Sequence, residues 1–179
     1  VKPAVATRAD VLAAINRYNR NNQDRLSASL KVMAGEIESR LANYATKDPN
    51  TNPILTMPQD ELEKLINNTA EIHNAEINLY DLNGNLIISS TPCIYAKGIL
   101  SEQMKPLAYF FMNRLNSIEF FNQEKMGGIT FQSIYCPVRI DKGRTSAYLN
   151  IPSFNTEDEL NDEISRFLVT IMNLNVFIF

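Results

Sequence analysis

The chain has 179 residues, of which 45% are apolar, and a formal net charge of −3; this composition argues against a disordered chain and against a general nucleic-acid binder. Six glycines without a Gly-rich phosphate-binding motif argue against a nucleotide cradle, and two cysteines exclude a Cys-rich zinc site or a dense disulfide scaffold. No run of about 20 apolar residues is present, so no segment is expected to span a bilayer. Because the first residue is Val1, we expect the chain to be a piece of a longer protein.

The first predicted element is a long amphipathic helix from Ala9 to Tyr44. Its second half repeats apolar residues at spacings of three and four, which places them on one helix face: Leu26, Leu30, Met33, Ile37, Leu41 and Tyr44. At 1.5 Å per residue the helix measures roughly 54 Å, longer than a compact domain of this size. We therefore expect its N-terminal half, with a separate apolar patch at Val11, Leu12, Ile15 and Tyr18, to project from the domain or to pair with a second copy.

A proline-containing loop precedes a second predicted helix, which starts near Thr56, where Thr56–Gln59 fits a capping box. The hydrophobic period then changes to two, which predicts a strand from about Glu76. Asp81–Gly84 contains Asn-Gly and predicts a tight hairpin turn, and residues 86–90 form the returning strand.

A third helix is predicted after Pro106, with five side chains turned inward: Leu107, Phe110, Phe111, Met112 and Leu115. Two strands follow, Gly128 to Ile140 and Ser146 to Pro152, joined by a turn at Asp141–Arg144. Pro137 suggests a bulge or an edge position. The alternation of the first of these strands puts Phe131, Ser133, Tyr135, Pro137 and Arg139 on one face, and the more apolar Ile134, Cys136, Val138 and Ile140 on the other.

A last helix is predicted from Thr156, where Thr156–Glu159 fits a capping box. The chain ends in the apolar segment Phe167–Phe179, which is either a C-terminal core helix or a helix that leads toward a transmembrane span. The whole order predicts an α+β domain with an antiparallel sheet and flanking helices.

The order of elements resembles the extracytoplasmic PAS-like sensor domains, of the PDC or Cache type, of bacterial transmembrane receptors. The resemblance is carried by the long entry helix, by the hairpin from Ile77 to Ile87, by the closing hairpin from Gly128 to Pro152, and by the exit helix. The C-terminal tail is similar to the junction before the second span in sensor histidine kinases of the Bacteroidetes type. The resemblance implies a long membrane-proximal helix over residues 1–44, a PAS-like core of about five strands over 45–155, and an exit helix over 156–179.

The resemblance further implies a periplasmic ligand-sensing domain of a two-component histidine kinase in the inner membrane. In that case this chain is not itself an enzyme, needs no cofactor, and dimerises within the membrane-bound parent. A small organic ligand or a periplasmic partner protein would supply the signal, and no nucleic acid is involved. Two other functions stay open: a small α+β enzyme with a reactive cysteine, and a scaffolding domain that pairs through its first helix.

Candidate ligand-binding residues come from the face of the strands that mixes aromatic rings with a cation and a hydroxyl. That mixture suits a small organic anion, and we expect a carboxylate held by Arg139. The other candidates would surround it, if this face turns toward a pocket rather than toward water: Tyr95, Ser133, Tyr135, Tyr148 and Arg114.

The remaining reactive side chains have ordinary structural roles in this interpretation. His73 is the only histidine and is expected to be exposed or to cap a helix. Cys93 and Cys136 are expected to be buried structural thiols, although an oxidising compartment would allow a disulfide between them. No catalytic residue and no metal ligand is assigned.

Overall fold

The computed structural model describes residues 8–45, 51–140 and 143–153. The chain divides into two compact units. One unit, Leu26–Phe154, contains the sheet and the core, and of the other the structure describes only residues 8–25, the first half of the long helix. The predicted exit helix and the apolar tail lie outside the described residues. No described helix is both long enough and apolar enough to cross a membrane.

The helical elements agree with the prediction in outline. The described helices are α1 (Arg8–Ala42), α2 (Pro53–Thr56), α3 (Gln59–His73), α4 (Pro92–Ala96) and α5 (Pro106–Tyr109), and a π-helical turn (Phe110–Arg114) continues α5. Asn74 ends α3 in a left-handed conformation, and its backbone N–H contacts the last carbonyls of the helix.

Five strands form one antiparallel sheet: β1 (Asn78–Tyr80), β2 (Leu86–Ser89), β3 (Phe120–Met126), β4 (Ile129–Ile140) and β5 (Arg144–Ser153). Their order across the sheet is β2-β1-β5-β4-β3. Two pairings fix the register through the centre, Asn78 opposite Asn150 and Asn150 opposite Tyr135. The PAS-like α+β architecture predicted from the sequence is thereby confirmed.

The main core lies on one face of the sheet, against α1 and α3. The α1 stripe predicted from the sequence is buried there, because Leu30, Met33, Ile37 and Leu41 are all fully shielded from solvent. The apolar face of β4 joins the same cluster, with the side chains Ile134, Cys136, Val138 and Ile140. Both the helix face and the strand face of this core are therefore as predicted.

A smaller cluster lies on the opposite face and contains more polar groups. It joins aromatic and methionine side chains of the sheet to the connection between β2 and β3: Tyr80, Tyr135, Tyr148, Met104, Ala108 and Met112. Phe111 stacks on Phe120 with ring centroids 4.2 Å apart. The two faces of one sheet thus carry two different cores.

Two local predictions are wrong. Thr56 does not start a capping box: it ends α2, its hydroxyl donates to the carbonyls of Pro53 and Tyr44, and α3 begins after Pro58. The third helix is also not α-helical throughout. The Leu115 N–H bonds to the Phe110 carbonyl, five residues back, so the π turn shifts the phase of the helix face.

The side chains that the third helix buries also differ from the prediction. Met112 is buried, as predicted, but three other predicted core residues are exposed: Leu107, Phe110 and Leu115. Pro137 occupies an edge position, as predicted, because β3 pairs with β4 only as far as Tyr135 and leaves that side of Pro137 without a neighbouring strand.

Candidate functional site

A small cavity lies on the sheet face opposite the main core. Side chains of the four strands β1, β5, β4 and β3 form its floor, since alternate residues of each strand point to this face. The lining residues are Asn78, Tyr80, Tyr95, Leu100, Ser101, Gln103, Lys105, Glu124, Phe131, Ser133, Tyr135, Asn150 and Pro152. The free space in the cavity has room for about one water molecule.

The segment between α4 and α5 forms one wall of this cavity and is fastened to the β1–β2 hairpin. The Met104 N–H donates to the Gly84 carbonyl at 2.8 Å, and the Leu86 N–H donates to the Glu102 carbonyl at 2.7 Å. The residues before this fastening are more accessible, since Ser101 is exposed and Leu100 is half-buried. The wall is therefore anchored at one end.

A buried carboxylate faces the tyrosines of the cavity. Glu124 on β3 is only 7% exposed. The hydroxyl of Tyr135 donates to Glu124 Oε1, and the amide of Asn122 lies 3.5 Å from the same oxygen. Burial and the nearby Glu124 charge raise the pKa of Tyr135, so its hydroxyl stays protonated and remains a donor at neutral pH.

A second pair of hydroxyls lies beside the first. Tyr80 and Tyr95 are hydrogen-bonded to each other, and burial is the largest cause that raises the pKa of each. The Tyr80 and Tyr135 rings lie 6.5 Å apart between centroids. Three phenols and one carboxylate are thus gathered on one side of the cavity.

The central row of the sheet contributes two buried amides. Asn78 Nδ2 donates to Asn150 Oδ1 at 2.9 Å, and Asn150 Nδ2 donates to the Ile134 carbonyl at 3.3 Å. Asn78 Oδ1 and Ser133 Oγ are left without a hydrogen-bond partner in the described structure, although both residues are 1% exposed. Buried polar atoms without partners are rare, so these two mark the cavity as a place where an additional group can bind.

Three of the six ligand-binding residues predicted from the sequence meet in this cavity. Tyr95 comes from α4, while Ser133 and Tyr135 come from the predicted face of β4. Tyr148 lies in the adjoining aromatic cluster, where Asn113 Nδ2 donates to its hydroxyl at 3.3 Å and Tyr109 meets its ring edge-on.

The two predicted arginines do not line the cavity. Arg139 lies four residues beyond Tyr135 on β4, about 13 Å away at the rise of a strand, and its backbone N–H donates to Glu38 of α1 at 2.6 Å. Arg114 ends the π turn and is exposed. Residues that share a strand face are therefore not all within reach of one ligand.

Sequence reasoning missed the groups that dominate the site. Glu124 lies on β3, a strand that was not separately predicted, and Asn78, Asn150 and Lys105 were not among the candidates. The register of β3 with β4 is what brings Glu124 opposite Phe131. The sequence gives one indication of this placement: Glu124 lies two residues after Asn122 and four after Phe120, so in a strand it falls on the same face as both.

The cysteines and the histidine lie apart from this cavity. Both thiols are free, Cys93 exposed and Cys136 buried, which is a correction for the predicted burial of Cys93. Burial raises the pKa of Cys136 to about 12, the opposite of the change that activates a nucleophilic thiol. His73 Nε2 lies 3.4 Å from Glu36 of α1. Within the described ranges, no three His, Cys, Asp or Glu side chains are grouped to hold a metal ion.

Comparisons with known proteins give matches among solved structures. The E. coli DcuS sensor domain is 9% identical, with 78% of this chain and 96% of that chain covered and a TM-score of 0.42. The V. cholerae histidine kinase DctB sensor domain is 16% identical, with 74% and 56% covered and a TM-score of 0.41. An RNA-binding light-oxygen-voltage receptor is 15% identical, with 73% and 42% covered and a TM-score of 0.40. The first two of these structures are sensor domains.

No family model matches the chain, and no curated protein matches it by sequence.

Proposed function

We propose that this chain is the extracytoplasmic ligand-sensing domain of a transmembrane sensor histidine kinase and that a water-sized group of its ligand binds in the cavity on the sheet face opposite the main core. The observation that carries the proposal is the pair of buried acceptors without partners, Asn78 Oδ1 and Ser133 Oγ. A ligand that satisfies them removes a desolvation penalty of about 1–3 kcal/mol for each group.

The fold separates the cavity from the long helix by the thickness of one sheet. Tyr135 lines the cavity, while its neighbour Ile134 points to the other face and joins the core with Leu30 and Met33 of α1. Close packing transmits small displacements. A ligand that shifts β4 by a fraction of an ångström therefore displaces the side chains on which α1 rests, and this provides a route for a signal.

Contacts at the edge of the sheet also couple β4 to α1. Glu38 Oε1 accepts the Arg139 N–H at 2.6 Å. Nearer the N-terminus of α1, the Ser27 hydroxyl donates to Glu119 Oε2 at 2.6 Å, and Lys31 Nζ lies 3.3 Å from the same oxygen. Glu119 immediately precedes β3, so α1 contacts β4 and the start of β3, two of the four strands that form the cavity floor.

The test is a binding screen on the 179-residue chain with two matched variants. Small organic acids, amines and neutral polar compounds are screened by thermal shift, and each compound that raises the melting temperature is titrated by calorimetry. Ser133→Ala removes the cavity hydroxyl without adding volume, and we expect it to weaken binding at least tenfold.

Ser146→Ala is the control. Ser146 is also buried and its hydroxyl also lacks a partner in the described structure, but it lies outside the cavity. The control variant should bind every compound with the same affinity as the unaltered chain. Equal loss of affinity in both variants, or no compound that binds, would reject the cavity as the sensing site.

A further inference from the structure

Three side chains of the cavity have acceptor oxygens that can receive a further hydrogen bond: Glu124, Asn78 and Ser133. Glu124 brings a carboxylate that forms no ion pair with any described residue. Its two described hydrogen bonds both reach Oε1. Asn78 Oδ1 and Ser133 Oγ add two further acceptors without partners.

The donors of Tyr135, Asn78 and Asn150 already have acceptors, and the Ser133 hydroxyl can accept a bond as well as donate one. The Tyr135 hydroxyl donates to Glu124, and the Asn78 amide nitrogen donates to Asn150. The amide nitrogen of Asn150 in turn reaches the Ile134 carbonyl. A ligand that supplies donors therefore gains bonds here, whereas a carboxylate would add a second negative charge beside Glu124 in a buried site, where like charges repel strongly.

We infer that the cavity, which has room for one water-sized group, binds only the primary ammonium group of a small ligand, with Glu124 as its counter-ion and Asn78 Oδ1 and Ser133 Oγ as further acceptors. This inference rests on the proposed function. An ammonium carries three donors and no acceptor, which matches three acceptor groups. It replaces the carboxylate ligand expected from the sequence, because the arginine on which that expectation depended is about 13 Å along β4 from Tyr135.

Lys105 opposes the binding of a cation and therefore offers a separate test of the inference. It is the only basic side chain in the lining, is half-buried, and forms no ion pair among the residues that the structure describes. Its charge repels a simple monoamine and attracts a carboxylate. Removing that charge should therefore change the affinities for the two ligand classes in opposite directions.

The experiment uses pairs of probes of matched size, methylammonium and ethylammonium against formate and acetate, titrated into the 179-residue chain by calorimetry. Ethylammonium should bind more tightly than acetate. Glu124→Gln, which keeps the shape of the side chain and removes its charge, should weaken ethylammonium binding at least tenfold. Lys105→Met should strengthen it severalfold, and Glu102→Gln, on an exposed residue of the same segment, should leave it unchanged.

Each possible result has a defined meaning. Tighter binding of acetate, or ethylammonium affinity that is the same in Glu124→Gln, overturns the ammonium inference and leaves the sensing function standing. If no member of the wider screen binds, the sensing function fails together with it.

A spectroscopic measurement on the unaltered chain covers the case in which Glu124→Gln does not fold. Ethylammonium should shift the ring resonances of Tyr80, Tyr95 and Tyr135. Titration that leaves those resonances in place overturns the inference without any variant.

Discussion

Asn78 and Asn150 lie opposite each other on adjacent strands, and the amide nitrogen of Asn78 donates to the side-chain oxygen of Asn150 at 2.9 Å. The pair occupies the middle of a sheet face, where an apolar pair would satisfy packing alone. Its two members are not equivalent. Asn150 accepts one bond and donates another, whereas Asn78 donates one bond and holds an oxygen without a partner.

This asymmetry predicts different losses of stability for two matched substitutions. Asn150→Ala removes both bonds and leaves the Asn78 amide without its acceptor, so we expect a loss of about 1–3 kcal/mol in the free energy of unfolding. Asn78→Ala removes one bond but also one unsatisfied acceptor, and it should cost less. Urea denaturation of both variants measures the difference, and a larger loss for Asn78→Ala would contradict the assigned bonding.

The hairpin glycine Gly84 should be sensitive to substitution for two separate reasons. Its φ of +83° is unfavourable for other residues, and a Cβ there would lie 3.0 Å from Cδ2 of Tyr109 and 3.3 Å from Cβ of Met104. Gly143 has a φ of +87° with no atom within 4 Å of a Cβ, so Gly143→Ala measures the backbone term alone, about 1–2 kcal/mol.

Gly84→Ala should therefore destabilise the chain more than Gly143→Ala, as measured by chemical denaturation. The difference between the two losses in the free energy of unfolding measures the contact between the β1–β2 hairpin and the segment that forms the cavity wall. If both variants lose the same free energy of unfolding, this contact is absent or rearranges without an energetic penalty.

The two thiols should react at very different rates. Because burial raises the pKa of Cys136 to about 12, almost none of it is thiolate at pH 8, and its side chain is also shielded. Cys93 is exposed. Iodoacetamide should modify one thiol rapidly in the native chain and the second only on unfolding, as followed by mass spectrometry; rapid modification of both would contradict the placement of Cys136 in the core.

Glu76 should make stability fall as pH rises. Burial raises the pKa of its carboxyl above the ordinary value of 4.5, although Thr91 Oγ1 donates to it at 3.2 Å and partly offsets that effect. The folded chain therefore holds this proton to a higher pH than the unfolded chain does. Stability is lost between pH 4.5 and the raised value, and it is not regained at neutral pH.

Glu76→Gln removes that ionisation. Its melting temperature relative to the unaltered chain should thus be higher at pH 7 than at pH 4. Glu71→Gln, on an exposed residue of α3, serves as the control. If the melting temperatures of Glu76→Gln and the unaltered chain differ by the same amount at pH 4 and pH 7, Glu76 ionises without a stability penalty, and the prediction is wrong.

The sequence predicted those features that depend on regular periodicity. The buried stripe from Leu30 to Leu41 repeats at helical spacing, and the alternation from Ile129 to Ile140 assigned both faces of β4 correctly. The Asp81–Gly84 turn was also identifiable from its residues, and Asp81 Oδ1 accepts the N–H groups of Asn83 and Asn85 at 2.8 Å. These are local rules, and the fold class follows from their order.

The cavity depends on distances that periodicity does not contain. Arg139 shares a face with Tyr135, but the rise of the strand carries it away from the site. Glu124 is inward although it is charged, because β3 pairs with β4 in a register that only the folded sheet defines. The π turn changes the phase of the third helix after Phe110 through a hydrogen bond of altered spacing, and Leu115 is exposed beyond it.

The most direct test of the sensing site is the ring NMR spectrum of the seven tyrosines, recorded as a compound that binds is added to the chain. Tyr44 is an internal reference, since it contacts Glu61 away from the cavity. We expect Tyr80, Tyr95 and Tyr135 to shift in proportion to occupancy while Tyr44 does not move. A shift at Tyr44 with the three cavity rings unchanged would contradict the assignment of the cavity as the ligand site.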